Sequence, residues 1–184
     1  MLRICAGQFK GKSLQLPPSD ISRPSSNKLR QAIFNILNNL ISFENLVVLD
    51  GFAGSDALGL EALSRGASKV IFCEKNPKAQ RILKQNILSL KTLTERQVEL
   101  VADLFNLNVS QRFNLIFLDP PYDQDLEEEA LRYLLDKDLV ASDAIIVIEQ
   151  RKGAKAIEIN GCTAQPPRMY GNCQITLLNH YQKI

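Results

Sequence analysis

Long hydrophobic runs are missing from this sequence. The longest uninterrupted apolar stretch covers residues 144–148, whereas a helix that spans a membrane needs roughly 18 or more such residues. The first residues, MLRICAGQFKGK, carry charges and glycines where a signal peptide has a continuous apolar segment. We therefore expect no membrane partner and a location in the cytoplasm.

Side chains that build metal, redox and proton-relay sites are also scarce. The sequence has one histidine, His180, and nothing visible completes a catalytic triad with it. Its four cysteines, at positions 5, 73, 162 and 173, include no C-x-x-C pair. We therefore expect a structural role for the histidine, reduced cysteines that act as small buried hydrophobic side chains, and no bound metal.

The chain does have enough hydrophobic sequence for one core. With 184 residues, of which 45% are hydrophobic, it is expected to form a single domain and to be a monomer. The net charge is +2, but the first 30 residues hold six basic side chains against one acid, which favours contact with a polyanion. Residues 2–16 predict a glycine-turned hairpin, so 1–24 form a basic extension and 25–184 the core.

Short apolar segments alternate with helical patterns along the rest of the chain. Runs of β-branched and apolar residues predict strands at 46–50, 69–74, 97–103, 113–119 and 144–149. Apolar spacing and end signals predict helices at 27–40, 55–66 and 76–91. The first helix is expected to bury one apolar stripe: Leu29, Ile33, Ile36, Leu37 and Leu40. This order indicates an α/β fold with a doubly wound, mostly parallel sheet, whose ligands bind outside the carboxyl ends of the strands.

Four predicted strands end in an acidic residue. These residues are Asp50, Glu74, Asp103 and Asp119. A single acid at a strand end is commonly a solvated turn residue, but four of them at one edge of a parallel sheet favour a binding site. Glu74 also lies 24 positions beyond Asp50, close to the spacing of about 20 at which an acid binds ribose hydroxyls. The pattern therefore predicts a cofactor that contains a nucleoside.

The loop after the first of these strands distinguishes between cofactors. In DGFAGSDALG the glycines fall at positions 51, 54 and 59, which does not fit the G-x-G-x-x-G loop of dinucleotide-binding proteins. The loop also has no basic residue to hold a pyrophosphate. It is instead similar to the first motif of class I S-adenosylmethionine-dependent methyltransferases, in which the loop faces a methionine moiety.

The sequence LDPPY at 118–122 forms an unusual exit from a buried strand. Pro120 and Pro121 fix their φ angles and remove two N–H donors, so the corner presents only hydrogen-bond acceptors. The Asp119 carboxylate and the Pro120 carbonyl can then accept both hydrogens of one amino group, and Tyr122 can stack on a base. The motif resembles the one that enzymes use to methylate exocyclic amino groups of bases.

The resemblance extends over essentially the whole chain. Its segments are RPSSNKLRQAIFNIL, VLDGFAGSDALGLEALSRGASKVIFCEKN, IFLDPPY and RMYG. They occur in the order, and at about the spacing, of the bacterial 16S ribosomal RNA guanine-N2 methyltransferases that modify guanine 966. The resemblance implies a Rossmann-like class I methyltransferase with a seven-stranded sheet, S-adenosylmethionine as cofactor, and 16S ribosomal RNA, free or within an assembling small subunit, as partner.

The resemblance also implies roles for individual residues. The cofactor would contact Asp50 and Gly54 at its methionine end, Glu74 at the ribose and Asp103 at the adenine amino group. Phe52 and Leu104 would also belong to the cofactor site. The catalytic corner would comprise Asp119, Pro120, Pro121 and Tyr122. The basic extension would bind RNA through Arg3, Lys10, Lys12 and Arg23.

Two alternative functions stay open at this point. The corner motif alone does not separate a guanine-N2 enzyme from a DNA adenine-N6 methyltransferase. Gly51 and Asp56 stand where the family usually has leucine and glycine, and the latter exchange predicts weaker cofactor binding because aspartate can cap the helix donors that the cofactor would use. A non-catalytic RNA-binding assembly factor is therefore the second alternative, against which the intact DPPY, Glu74 and Asp103 argue.

Overall fold

The computed structural model describes residues 2–16, 27–54, 58–91, 93–94, 97–121 and 126–181. Three residues with predicted roles, Arg23, Asp56 and Tyr122, lie outside these ranges. The strands are β1 (Leu2–Arg3), β2 (Ser13–Leu14), β3 (Val47–Asp50), β4 (Lys69–Cys73), β5 (Val98–Val101), β6 (Phe113–Leu118), β7 (Val140–Arg151), β8 (Cys162–Ala164), β9 (Arg168–Tyr170) and β10 (Cys173–His180). The helices are α1 (Asn27–Leu37), α2 (Leu58–Ser64), α3 (Pro77–Ser89) and α4 (Leu126–Asp136), with a short 3-10 helix at Leu104–Asn106.

The central sheet is mostly parallel and doubly wound, as predicted. Its strand order is β5-β4-β3-β6-β7-β10-β8, and β9 also pairs with β10. Strands β5, β4, β3, β6 and β7 are parallel to one another, whereas β10 runs antiparallel to β7. Because β7 occupies one edge of β10, β8 and β9 share the other edge, at opposite ends of β10. The sheet is therefore seven positions wide, and its order reverses between β3 and β6, where doubly wound sheets form their ligand crevice.

Two hydrophobic layers cover the sheet. On one face, α1, α2, α3 and the N-terminal hairpin pack against side chains of the central strands, and on the other face α4, the 3-10 helix and residues 157 and 159 do so. The ring centroids of Phe34 in α1 and Phe117 in β6 lie 5.8 Å apart. No helix within the described residues is long and apolar enough to cross a membrane.

Local signals set most helix ends correctly. Asn76 caps α3, since its Oδ1 accepts from the Lys78 N–H at 2.9 Å, and Pro77 occupies the first helical position. Gly66, with φ of +115°, follows α2. One expectation is wrong: α1 ends at Leu37, so Leu40 lies beyond the helix and is 48% exposed. The intervening asparagines, 38 and 39, favour a turn because their side chains compete for backbone hydrogen bonds.

Candidate active site and nucleic-acid interface

The candidate active site lies at the carboxyl ends of β3 and β6. Asp50 ends β3 and is 4% exposed, and its Oδ2 accepts a hydrogen bond of 2.9 Å from the Gly59 N–H in α2. The Gly51 N–H donates to the Phe117 carbonyl of β6 at 2.9 Å. Asp50 thus ties the start of α2 to the sheet, and the loop begins directly beside β6.

Gly51 is enclosed by two leucine side chains. A Cβ atom at Gly51 would lie 2.7 Å from Leu104 Cδ1 and 2.9 Å from Leu118 Cδ2, closer than real Cβ contacts come. Leu104 is buried, so its side chain packs beneath the loop. These leucines fill the space that a side chain at position 51 would need, which gives the unusual glycine a packing reason.

Glu74 joins the end of β4 to the same loop. Its Oε2 accepts from the Gly54 N–H at 2.7 Å, and its Oε1 accepts from the Asn76 N–H at 2.6 Å. Gly54 has a φ of +52°, a left-handed conformation that favours glycine. Gly54, which is predicted at the methionine end of the cofactor, and Glu74, which is predicted at its ribose, are therefore in direct contact.

Asp103 lies at the third neighbouring strand end, after β5. Its Oδ1 caps the 3-10 helix by accepting from the Phe105 N–H at 3.1 Å. Its Oδ2 lies 3.2 Å from Lys75 Nζ, an ion pair at a part-exposed position. Phe52, the remaining predicted cofactor residue, is half-buried against the second hydrophobic layer.

The LDPP corner follows β6 on the other side of the crevice. Asp119 is half-buried, Pro120 is buried and Pro121 is exposed. β6 ends at Leu118, which pairs with Ile148 of β7. Asp119 and Glu149 are the next residues after this pair, and Asp119 lies just beyond the end of its strand.

The N-terminal hairpin is attached to the core through a buried acid. β1 and β2 pair antiparallel, which confirms the predicted hairpin. Glu61 in α2 has no exposed surface, and its two carboxylate oxygens accept from the Cys5 N–H at 2.7 Å and the Ala6 N–H at 3.0 Å. Arg65 forms an ion pair of 2.8 Å with the same carboxylate, and Arg30 Nε lies 3.8 Å from it.

A second contact fixes the turn of the hairpin. The Gln8 N–H donates to the Ser64 carbonyl at 2.7 Å, and the Phe9 N–H donates to Ser64 Oγ at 3.0 Å. Gly7 has a φ of +80°, and a Cβ there would lie 1.7 Å from the Ser64 carbonyl oxygen. The hairpin is therefore held rigidly on α2, while Arg3, Lys10 and Lys12 remain exposed on it.

Known proteins share this architecture over nearly the whole chain. Residues 2–179 match the family model described as "Conserved hypothetical protein 95". The chain is 36% identical over 148 residues to "Ribosomal RNA small subunit methyltransferase D" of Escherichia coli strain K12, an alignment that covers 80% of this chain and 74% of the relative. This chain belongs to the Conserved hypothetical protein 95 family.

Further relatives and a solved structure agree with this membership. "Ribosomal RNA small subunit methyltransferase D" of Haemophilus influenzae is 36% identical over 156 residues, which cover 82% of this chain and 79% of the relative. The structure named "Putative methyltransferase yhhF from Escherichia coli" has a TM-score of 0.83 at 27% identity and covers 99% of both chains. The fold of this family member is therefore that of the methyltransferases, as the resemblance in its sequence predicts.

The sheet edge of this family member carries a concentrated negative field. Burial raises the pKa of the Cys73 thiol far above its usual value, and the carboxylates of Asp50, Asp103, Glu99 and Glu74 raise it further. Cys73 ends β4, and its thiol therefore lies near the carboxyl ends of β3, β4 and β5. Three of the four acids at predicted strand ends, Asp50, Glu74 and Asp103, therefore lie near one another.

A second thiol reports on the corner. Burial raises the pKa of Cys173 to about 11, and the carboxylates of Glu149 and Asp119 contribute to the rise. Cys173 Sγ donates to the Tyr170 carbonyl at 3.2 Å, so the neutral thiol has its own acceptor. Glu149 is 6% exposed, and the acids of the corner lie near β9 and β10.

Sequence reasoning missed several residues of these sites. Glu149 ends the predicted strand 144–149 in the same way as the four acids do, and counting it would have located a fifth carboxylate. Glu61 and Arg30 had no such signal, because their partners lie 55, 56 and 27 residues away in the chain. His180 has the expected structural role: its Nδ1 contacts the Ala141 carbonyl at 2.7 Å, and since a carbonyl only accepts, Nδ1 carries the hydrogen.

Proposed function

We propose that this chain transfers a methyl group from S-adenosylmethionine to the exocyclic N2 amine of a guanine in 16S ribosomal RNA. The observation that carries the proposal is the place of Asp119: it opens an acceptor-rich corner at the end of β6, beside the acid-lined crevice where the sheet order reverses. Relatives named as ribosomal RNA small subunit methyltransferases support the reaction class and the RNA substrate.

The crevice suits a cofactor that carries positive charge. Asp50 ends β3, and Glu74 and Asp103 follow the neighbouring strands β4 and β5. Burial raises the pKa of the Cys73 thiol among them, and these carboxylates add to the rise. S-adenosylmethionine has a sulfonium and an ammonium group, which such a field attracts. We place its methionine end at Asp50 and Gly54, its ribose at Glu74 and its adenine amine at Asp103. Phe52 and Leu104 are proposed to form apolar walls of this site.

The chain's own groups would position the amine for transfer. When bound, the cofactor supplies an electrophilic methyl carbon on sulfur. The Asp119 carboxylate and the Pro120 carbonyl would each accept one N–H of the target amine, which turns its lone pair toward that carbon. As the N–C bond forms and the S–C bond breaks, the nitrogen becomes positive, and Asp119 is the group that would stabilise this charge and take the surplus proton. Tyr122 is proposed to stack on the base.

Glu149 favours guanine over adenine in this site. Guanine presents an N1–H donor beside its N2 amine, whereas adenine presents an N1 acceptor beside its N6 amine. Asp119 and Glu149 follow the last β6–β7 pair, Leu118 and Ile148. Besides burial, both carboxylates raise the pKa of the Cys173 thiol, so both lie near that side chain. Such a pair complements two neighbouring donors, while a carboxylate that faces adenine N1 would leave two acceptors in repulsive contact. This argues against the DNA adenine-N6 alternative.

The basic extension is proposed to contact the RNA. Arg3, Lys10 and Lys12 are exposed on a hairpin that the core holds rigidly, and Arg23 follows it in the sequence. A base within RNA must leave its stack to reach the corner, and phosphate contacts by the hairpin would support that distortion. We further propose one domain over 1–184, with 1–24 as the RNA-contacting extension, and a cytoplasmic monomer that acts on free RNA or on an assembling small subunit.

Methylation assays on defined substrates test the proposal. Purified protein and S-adenosylmethionine carrying a labelled methyl group are incubated with 16S ribosomal RNA, with reconstituted small subunits and with adenine-containing duplex DNA. We expect label on one guanine of the RNA, located by mass mapping of nuclease fragments. Label on DNA adenine would support the rival enzyme, and RNA binding without any transfer would support the assembly factor.

A further inference from the structure

We propose that a cleft between the N-terminal hairpin and α1 binds a phosphate group, with its sugar, of the substrate RNA strand. This inference rests on the proposed function for its ligand, but it names a site that includes α1 and is not confined to the hairpin. The hairpin contributes Arg3, Ile4, Cys5, Lys10 and Gly11 to the lining, and α1 contributes Asn27 and Gln31. The cleft has a volume of about 280 Å³.

The size of the cleft limits what can occupy it. At about 30 Å³ for each water molecule in the liquid, 280 Å³ corresponds to roughly nine waters. This volume is sufficient for a phosphate and its sugar. Its rim is also open at Gly11, where a Cβ would meet no atom within 4 Å, so a ligand can approach the hairpin backbone closely there.

The charge around the cleft selects an anion. Two of the lining side chains, Arg3 and Lys10, are cationic, and none of the lining residues is acidic. The first turn of α1 also has no acidic residue. Glu61, the buried acid behind the hairpin, is taken up by two backbone N–H groups and the 2.8 Å ion pair with Arg65. Glu61 also lies 3.8 Å from Arg30 Nε, so two guanidinium groups share one carboxylate and the three side chains together keep one net positive charge.

A buried guanidinium lies behind the wall of the cleft. Arg30 is 1% exposed, and its Nη2 donates to the Arg3 carbonyl and, at 3.0 Å, to Asn27 Oδ1. Both partners line the cleft. Arg30 Nη1 is buried and has no hydrogen-bond partner among residues 2–16, 27–54 and the other described ranges. The Glu61 carboxylate, 3.8 Å from Arg30 Nε, offsets part of this charge, and the remainder adds to the attraction for a phosphate.

Polar groups on α1 distinguish an RNA strand from a simple anion. Asn27 and Gln31 line the cleft, and their side-chain amides both donate and accept hydrogen bonds. A ribose 2′-hydroxyl offers the same pair of functions and is the group by which proteins recognise RNA. Because Glu61 and Ser64 fix the hairpin in advance, little ordering is required of this site on binding.

Charge substitutions at Gln31 test the site, and Gln8 provides the matched control. Gln31 is exposed on α1 and lines the cleft, whereas Gln8 is exposed on the hairpin turn and is not among the lining residues. We expect Gln31→Glu to weaken binding of a single-stranded 16S RNA fragment about five- to tenfold and to lower the salt slope by about 0.7, the value for one lost phosphate contact in a single strand. Gln31→Lys should tighten binding. Gln8→Glu and Gln8→Lys should each change it less than twofold.

The outcomes separate this inference from the proposed function. If substitutions at Gln31 and at Gln8 change RNA affinity equally, the cleft does not bind the RNA strand, even if the protein methylates 16S RNA normally. Conversely, RNA affinity that depends on Gln31 in a protein that transfers no methyl group would support the cleft and overturn the proposed reaction. A wild-type protein that binds no RNA would overturn both. Melting temperature and S-adenosylmethionine affinity, measured for every variant, should stay at wild-type values.

Discussion

The Glu74 carboxylate holds the Gly54 N–H at 2.7 Å and so connects the end of β4 to the loop that follows β3. The same carboxylate accepts from the Asn76 N–H at the start of α3. Glu74 thus organises the loop besides facing the proposed ribose position. Its removal should therefore affect the cofactor site in two ways, by losing a ligand contact and by loosening the loop.

We expect Glu74→Ala to weaken S-adenosylmethionine binding by about 1.5–3 kcal/mol, the range for hydrogen bonds to charged groups. Isothermal titration measures this directly. Glu99→Ala is the matched control, because Glu99 is a part-exposed acid on β5 that pairs with Lys69 and has no proposed ligand. Unchanged affinity in Glu74→Ala would remove Glu74 from the cofactor site.

Asp119→Ala should abolish methyl transfer while leaving cofactor binding intact. The reason is that Asp119 is proposed to hold the amine and accept its proton, whereas the cofactor would lie against the neighbouring strand ends. Single-turnover transfer to 16S RNA and titration with cofactor separate the two effects. Asp136→Ala, at an exposed acid that ends α4, should behave as wild type. Normal turnover by Asp119→Ala would show that the corner is a structural turn.

Glu149→Gln should alter the choice of base. An RNA with 2-aminopurine at the target position keeps the N2 amine but replaces the N1–H donor by an acceptor. The wild-type protein should discriminate against it by about 1–3 kcal/mol in kcat/KM, as expected for unpaired polar groups. A glutamine amide can donate to that acceptor, so the variant should narrow or reverse the preference for guanine. If wild type and variant show the same ratio of kcat/KM for the guanine and 2-aminopurine RNAs, Glu149 does not contact the N1 position of the base.

Gly7→Ala should destabilise the protein more than Gly11→Ala does. Both glycines have left-handed backbones, with φ of +80° and +83°, so the conformational strain of alanine is similar at the two positions. Only at Gly7 would the added methyl meet the Ser64 carbonyl, at 1.7 Å. We expect the difference in unfolding free energy to be about 1–3 kcal/mol, measured by urea denaturation. Equal losses would mean that the hairpin does not depend on this close approach to α2.

The Gly51 and Leu104 pair shows how far a motif alone can be interpreted. The sequence marks Gly51 as a departure from the usual leucine, but only the packed structure shows that Leu104 and Leu118 occupy the space of the missing side chain. The neighbouring departure, Asp56, lies outside the described residues, and its predicted weakening of cofactor binding stays a prediction. An Asp56→Gly variant with tighter S-adenosylmethionine binding would support it.

The sequence by itself determined the α/β order, the parallel strands and the edge on which the acids meet. These features follow from local patterns: apolar runs form covered strands, Asn76 and Pro77 start a helix, and strands of parallel direction bring Asp50, Glu74, Asp103 and Asp119 to one side. The DPPY corner is equally local, since two prolines remove donors wherever the chain runs.

Only the tertiary structure decided which residues hold these parts together. Glu61 accepts hydrogen bonds from Cys5 and Ala6 across 56 and 55 residues of sequence. Asp119 and Glu149 follow the paired residues Leu118 and Ile148, because β7 pairs with β6 in one particular register. Leu40 has the right helical spacing yet is exposed, because α1 ends before it. Local patterns specify which surfaces must be buried, but the partner of each buried group depends on how distant segments pack, and no spacing along the chain encodes that directly.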